Sequence, residues 1–417
     1  MKKKILIAGL AVLFSLSLAA CSFGTTSATE NISKEITTNA SASSTSSENT
    51  LQAMSYGESE YFTERDLTQE ADTSDATQLT VTDNKDIEIT EEGTYVISGT
   101  ASNATIKINA GDDAKVQLVL NGVSITNEDT PCIYVVNADK VFVTTEENTT
   151  NTLKVTDEFT SDGDTNTDAV IFSKDDLVLN GKGTLIINSS KNGISGKDDL
   201  KITGGTYEIS CAKSAVEAND SILISDGDIT ITNCNDGLHA ENDDDDTSGY
   251  IMILGGTLNI KAADDGIHAT STLTINDGNI TVSAAEGLEG TVITINGGTL
   301  SITASDDGIN GARKSSSYQP SITINGGDIT INMGSGDTDA IDSNGDLYIN
   351  GGTLNITAQS PFDYDGNCEY NGGTLIVNGT ETTTITNQFA GGMGGMGGMD
   401  GMGGMGQRPG GNGRVRG

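Results

Sequence analysis

The chain has 417 residues, 52 of them glycine and none tryptophan, and its formal charge is −37. Glycine lies well above the usual ~7%, as expected of a chain that must turn every few residues. So acidic a body repels nucleic acid and anionic lipid and attracts cations or neutral glycans, which excludes nucleic-acid binding as a function.

The first element is a leader. Lys2, Lys3 and Lys4 precede an apolar run over residues 5–18, followed by Leu18-Ala19-Ala20-Cys21. A basic start, a short apolar core and small residues before a break make a secretory signal rather than a membrane span. Because the break is a cysteine, the segment resembles a bacterial lipoprotein signal. That resemblance implies removal of residues 1–20 and lipidation of Cys21, and it places the protein on the extracellular face of the cell membrane, lipid-anchored. Loss of the three lysines takes the charge from −37 to −40. Residues 21–76 are rich in Ser, Thr, Asn and Glu with few apolar positions, so a disordered tether is expected.

Residues 77–167 read as a less regular opening. Tyr95-Val96-Ile97-Ser98-Gly99-Thr100, Leu118-Val119-Leu120-Asn121-Gly122-Val123-Ser124-Ile125, Ile133-Tyr134-Val135 and Val141-Phe142-Val143 are strands that cap the N-terminal end and begin the first coils. From Asp168-Ala169-Val170 the repeat settles, with coils starting from near Gly183 onward. Gly255-Gly256-Thr257-Leu258-Asn259-Ile260, Ala263-Asp264-Asp265-Gly266-Ile267-His268-Ala269 and Leu273-Thr274-Ile275-Asn276 return as Asp277-Gly278-Asn279-Ile280, Glu286-Gly287-Leu288-Glu289-Gly290 and Ile293-Thr294-Ile295-Asn296. Each phrase alternates apolar and polar, and glycine breaks separate the phrases, so each repeat is three short strands joined by tight turns. That pattern predicts an all-β fold: a single-stranded parallel β-helix over residues 77–388, right-handed because parallel crossovers nearly always are.

Three aliphatic columns form its interior: Leu258, Ile280, Leu300, Ile329 and Leu354; Ile253, Ile275, Ile295, Ile324 and Ile349; Leu238, Ile267, Leu288, Ile309 and Ile341. Asn276, Asn296, Asn325, Asn350 and Asn371 recur before the glycine turns as a structural amide ladder. Cys368 takes a core position held by Leu347 one coil earlier. Cys211 and Cys234 fall at nearly the same place in neighbouring coils, where a disulfide is permitted but not established. Two repeats carry insertions at one corner, residues 242–249 and 312–320. After Phe389, Gly-Gly-Met repeats make residues 389–417 a disordered tail.

Aligned on the Asp-Gly phrase, the position before glycine reads Asn192, Ser214, Asp236, Asp265, Glu286, Asp307, Asp339, Ser360. Three residues later the column is Ser195, Glu217, His239, His268, Glu289, Asn310, Asp342, Asp363, with Asp264, Asp306 and Asp337 close by. In-register neighbours would lie ~5 Å apart, with repulsion of about 1 kcal/mol per pair in bulk water and about 3–4 kcal/mol at an effective dielectric near ~20. Either the pKa values rise or cations sit between coils. Calcium, which takes six to eight hard oxygens in flexible geometry, suits Asp236, Asp264, Asp265, Glu286, Glu289, Asp306, Asp307, Asp339, Asp342 and Asp363. A solvated acidic edge is the alternative, and zinc at His239 and His268 a weaker one. No Ser-His-Asp or Cys-His arrangement recurs, so no catalytic residue is assigned. Arg313 and Lys314 are the sole candidates for a lyase base; with Tyr318 they are the residues expected to touch carbohydrate.

The N-terminal phrases, Ser173-Lys174-Asp175-Asp176-Leu177 and the Gly-Gly-Thr-Leu coils resemble, over about residues 79–380, a bacterial family of secreted carbohydrate-binding right-handed β-helices, similar in fold to pectate lyases and binding calcium along the helix. The resemblance implies a non-catalytic cell-surface protein whose partner is a polysaccharide, cellulose or acidic pectin, with Ca2+ as cofactor. A monomer is expected. A calcium-dependent lyase and a calcium-stapled adhesin are the alternatives. Acidic glycan bridged by calcium suits the charge better than cellulose, because the cation supplies the missing positive charge.

Overall fold

The computed structural model describes residues 61–335 and 338–387. The expectations for Cys21, Asp337 and the Gly/Met tail lie outside them. Within the described residues the chain forms 32 strands, and their pairing follows from the repeat. Each strand lies parallel to its counterpart one coil on, so three ladders run through the stack. One passes through Val141↔Leu177, Leu177↔Leu200, Ile222↔Ile251 and Ile293↔Ile322. A second passes through Leu258↔Ile280, Ile280↔Leu300, Leu300↔Ile329 and Ile329↔Leu354. The third carries the Asp-Gly phrases, through Leu238↔Ile267, Ile267↔Leu288, Leu288↔Ile309 and Ile309↔Ile341. The single antiparallel ladder pairs Thr374–Val377 with Thr380–Thr382 after the last coil.

All three predicted aliphatic columns are buried. A side chain between identical neighbours ~4.8 Å away loses its water on every side, which is why β-branched residues recur there. The asparagine ladder forms as expected: each amide donates to the Oδ1 of the preceding coil, from Asn296 to Asn276 at 2.7 Å through Asn371 to Asn350 at 2.9 Å. Glycine is required where coils touch. A Cβ on Gly287 would stand 2.4 Å from the Gly308 carbonyl and 2.5 Å from Ile302 Cγ2, so Glu286-Gly287 can hold its carboxylate beside the next coil only because residue 287 has no side chain.

Residues 77–167, expected as N-terminal cap and first coils, are not set apart from the later repeats, because their strands already stack in parallel register, as in Tyr95↔Leu118, Ile106↔Ile133 and Ile125↔Leu153. Gly99 and Gly122, at φ +100 and +71, make the turns that Asn-Gly-Gly makes later. Nor is the segment to residue 76 a tether throughout. Residues 61–72 lie across the first ladder as a strap, with Phe62 and Asp66 buried. Asp66 meets Lys140 at 3.4 Å and Lys201 at 3.5 Å, and Lys201 also donates to the Tyr61 carbonyl at 2.6 Å. Gln69 donates to the Thr203 carbonyl and accepts from the Gly181 amide, and Arg65 stacks 4.3 Å from the centre of the Phe142 ring. The segment shows no periodicity because a few anchor residues, rather than a repeating face, hold it.

Cys211 and Cys234 are joined as a disulfide between adjacent coils, and Cys368 pairs with Leu347 as expected. Cys132 is buried and its thiol is pushed up to about 12, so it stays inert. The disulfide closes a loop with a sequence separation of 23, for which chain entropy suggests roughly 3–4 kcal/mol of stabilisation. Reduction should lower the melting temperature by several degrees, and Cys211→Ser with Cys234→Ser should show the same loss without reductant. An unchanged melting curve in both would mean the staple is redundant with the ladders.

Candidate metal and glycan site

Both carboxylate columns fall in register. Ser214 pairs with Asp236, Asp265 with Glu286 and Asp339 with Ser360 in the first. In the second, Ser195, Glu217, His239, His268, Glu289, Asn310, Asp342 and Asp363 follow coil by coil. The main chain adds a link of its own, since the Asp265 and Asp339 amides donate to Asp236 Oδ1 at 3.4 Å and Asp307 Oδ1 at 3.3 Å. Asp264 and Asp306 sit on the exposed turn just before, adding charge without converging on a common point.

The acids divide into two stretches with different electrostatics. In the stretch 236–289, basic side chains are interleaved. His239 and His268 stack with ring centres 4.5 Å apart and planes 8° from parallel. His268 Nδ1 lies 3.1 Å from Asp265 and 2.5 Å from Glu289, whose other oxygen meets Lys314 Nζ at 2.7 Å. Burial alone would lower the His268 pKa, but the hydrogen bonds the imidazole donates to Asp265 and Glu289 outweigh it and raise the value to about 9. Burial would likewise raise Glu289, yet His268 and Lys314 hold it well below the usual range. Glu286 has no such cation, and burial together with the Glu289 and Asp265 charges pushes it up. Asp265, Glu286 and Glu289 offer oxygens all within 4.8 Å of one another. Asn310 donates to Glu286 at 2.9 Å and Glu289 at 3.3 Å, while its Oδ1 is buried without a partner.

The stretch 306–363 carries no basic side chain in either column. Burial pushes Asp307 up to about 6, with Asp306, Asp339 and Glu289 adding repulsion. Burial raises Asp342 to about 7, and Asp307, Asp363, Asp339 and Asp365 reinforce the shift. These acids form an open column rather than a closed cage. Another corner repeats the theme, because burial lifts Asp198 to about 7 with help from Asp176, Asp220 and Asp199. The Lys-Asp-Asp phrases at 174–176 and 197–199 were the available signal for it.

The residues expected to meet carbohydrate are placed differently. Lys314 is tied to Glu289, and Arg313 donates to Gln319 Oε1 at 2.9 Å. Tyr318 stays half-buried on the same loop. The two insertions do not flank the columns separately: Ser315 donates to the Asp246 carbonyl at 2.6 Å and Ser316 to its carboxylate, so loop 312–320 reaches back to loop 242–249. The amides of Lys314 and Ser315 donate to Thr291 Oγ1, which seats that return. Sequence reasoning missed this contact because the partners are about seventy residues apart and no periodicity links them.

Stacked parallel strands carrying two acidic columns define an all-β protein. The chain belongs to the family of carbohydrate-binding domain-containing proteins, whose profile matches residues 83–338 and 287–390. It is similar to a carbohydrate-binding domain-containing protein of Acetivibrio thermocellus, 37% identical over 128 residues, which are 30% of this chain and 45% of that one. The match thus spans less than half of the relative's length. A solved polysaccharide lyase-like protein from C. thermocellum, a gadolinium derivative, is 24% identical and covers 72% of this chain and 96% of its own, with a TM-score of 0.33. A superposition that loose places no residue.

Proposed function

We propose that this protein is a non-catalytic binder of acidic polysaccharide, a right-handed β-helix held at the extracellular face of the membrane through lipidated Cys21. The glycan lies along the third ladder, and calcium joins its carboxylates to those of the protein. The observation that carries this reading is the pair of in-register acid columns around a buried, unpartnered Asn310 Oδ1. Asp265, Glu286 and Asn310 fit one ion, with Glu289 already committed to His268 and Lys314. Asp307, Asp339, Asp342 and Asp363 would hold others, with glycan oxygens and turn carbonyls completing the oxygen shell that calcium requires. Calcium supplies positive charge at a corner that otherwise repels an acidic polymer.

Repeated weak sites on a repeating polymer gain by avidity. Polygalacturonate should therefore bind at least about tenfold more tightly in calcium than in EDTA, and its chain length should not change on prolonged incubation. Equal affinity in the two conditions would sink the calcium bridge. Accumulation of unsaturated, ultraviolet-absorbing fragments would favour a lyase instead. The ion pair of Lys314 with Glu289 and the hydrogen bond of Arg313 to Gln319 speak against that outcome, since neither group is free to act as a base.

A further inference from the structure

The corner just before the Asp-Gly phrase changes sign along the stack. Main-chain bonds tie its residues one coil to the next: the Lys213 amide to the Lys191 carbonyl, Asn235 to Lys213, Asp264 to Asn235, Ala285 to Asp264 and Asp306 to Ala285. The same position is therefore lysine, lysine, asparagine, aspartate, alanine, aspartate. Its basic end opens onto a groove of ≈ 580 Å³, which Lys197 and Lys213 share with Asp236, His239, Glu241 and Asn242. That volume falls within the usual range of about 300–1,000 Å³ for small-ligand sites.

The three lysines differ in how firmly they are paired. Lys191 reaches Glu158 at 3.3 Å, a carboxylate whose side chain is 87% exposed, and such surface pairs hold weakly. Lys197 pairs with Glu217 at 3.0 Å, and Ser195 also donates to that carboxylate, which fixes one wall. Lys213 makes no ion pair among the described residues. Two lysines stacked in adjacent coils repel each other, and an anion between them relieves that repulsion. The opposite wall is acidic. It disfavours a ligand that is negative all over, such as a phosphate chain, and it offers acceptors to hydroxyl groups.

We propose that this groove is an anion subsite that takes the carboxylate of a uronic-acid unit directly on Lys191 and Lys213, with no metal ion, while Asp236 and Glu241 accept hydrogen bonds from its hydroxyl groups. The inference rests on the polysaccharide reading above and names the subsite where the polymer is read. A glycan lying along this face meets lysine at its first units and calcium-bridged acids farther on, so charge recognition changes mechanism along one ladder.

The test is calorimetric titration of the full chain with trigalacturonate and with neutral cellotriose, in EDTA. Trigalacturonate should bind, cellotriose should bind at least about tenfold more weakly, and rising salt should weaken only the former. Lys213→Gln should weaken trigalacturonate about tenfold or more, the scale of losing a charge-assisted hydrogen bond, and adding Lys191→Gln should remove most of the remainder. Equal affinity for the two sugars, or no change in the double variant, overturns the subsite. If trigalacturonate binds only with calcium, the subsite fails and the calcium reading stands. If it binds in EDTA through the lysines and calcium adds nothing, the subsite stands and the calcium bridge fails.

Discussion

Asp66→Ala should be among the most destabilising substitutions outside the aliphatic columns. The carboxylate is fully buried between Lys140 and Lys201, whose side chains are 13% and 10% exposed. Burial disfavours its charge, but the Thr63 amide and the two lysines outweigh that and keep its pKa below the usual range. Removing one partner of a buried ion pair typically costs about 3–5 kcal/mol, because the other charge stays buried without compensation. Lys140 retains Asp176 at 3.4 Å, which softens the loss, whereas Lys201 keeps the Tyr61 carbonyl and the face of the Phe62 ring, 5.5 Å away, both on the strap itself. The strap should lift first, uncovering Arg65 from the Phe142 ring. Trypsin cleavage after Arg65 should then become rapid at temperatures where the wild-type bond resists, and the urea midpoint should fall. Unchanged cleavage would mean that Phe62 and Gln69 suffice to hold the strap.

Asp307→Asn with Asp342→Asn should act in the opposite direction on the metal-free protein. Both carboxyls have folded pKa values raised, to about 6 and about 7, by burial and like charge. A carboxyl with a raised folded pKa binds more protons in the folded state than in the unfolded one across the window from about pH 4 to pH 7. Stability therefore falls as pH rises through that window, and Glu286, also raised, extends the trend. In EDTA the wild type should melt several degrees lower at pH 8 than at pH 5. The double amide should flatten that slope and raise the pH 8 value. In calcium the order reverses for the wild type, because the ion binds the ionised carboxylates and stabilises by mass action. The double amide should lose most of the calcium response. If the EDTA profile rises from pH 5 to pH 8, the acids are solvated rather than crowded, and a diffuse counterion cloud replaces bound calcium. His268 works with the wild-type trend: its raised pKa gives stability that is full below about pH 6.5 and lost as pH passes through about 9.

The repeat made much of this legible without coordinates. A period-2 alternation closed by glycine permits only short strands, and stacking copies of one phrase must bring like residues together. That is why Asn276 finds Asn296, Cys211 finds Cys234 and Asp265 finds Glu286 from alignment alone. The same logic fails wherever a contact joins unlike phrases. Phe62, Asp66 and Gln69 belong to no repeat, so their docking on Lys140, Asn180 and Thr203 could not be read from spacing. Lys314 looked like a free base on a loop; its reach to Glu289 depends on the loop folding back over an earlier coil.

What the sequence determined by itself was therefore the strand repeat, the register of its columns and the surplus of negative charge, because all three follow from short-range pattern and translation by one coil. What only the tertiary structure decided was which charges are compensated. The acid column divides at Asn310 into a stretch paired with His268 and Lys314 and a stretch with no cation in its columns. At the opposite end the lysine corner faces an acidic wall. Pairing depends on side chains meeting across loops and on the burial that sets the strength of each charge, and neither quantity is periodic in the chain.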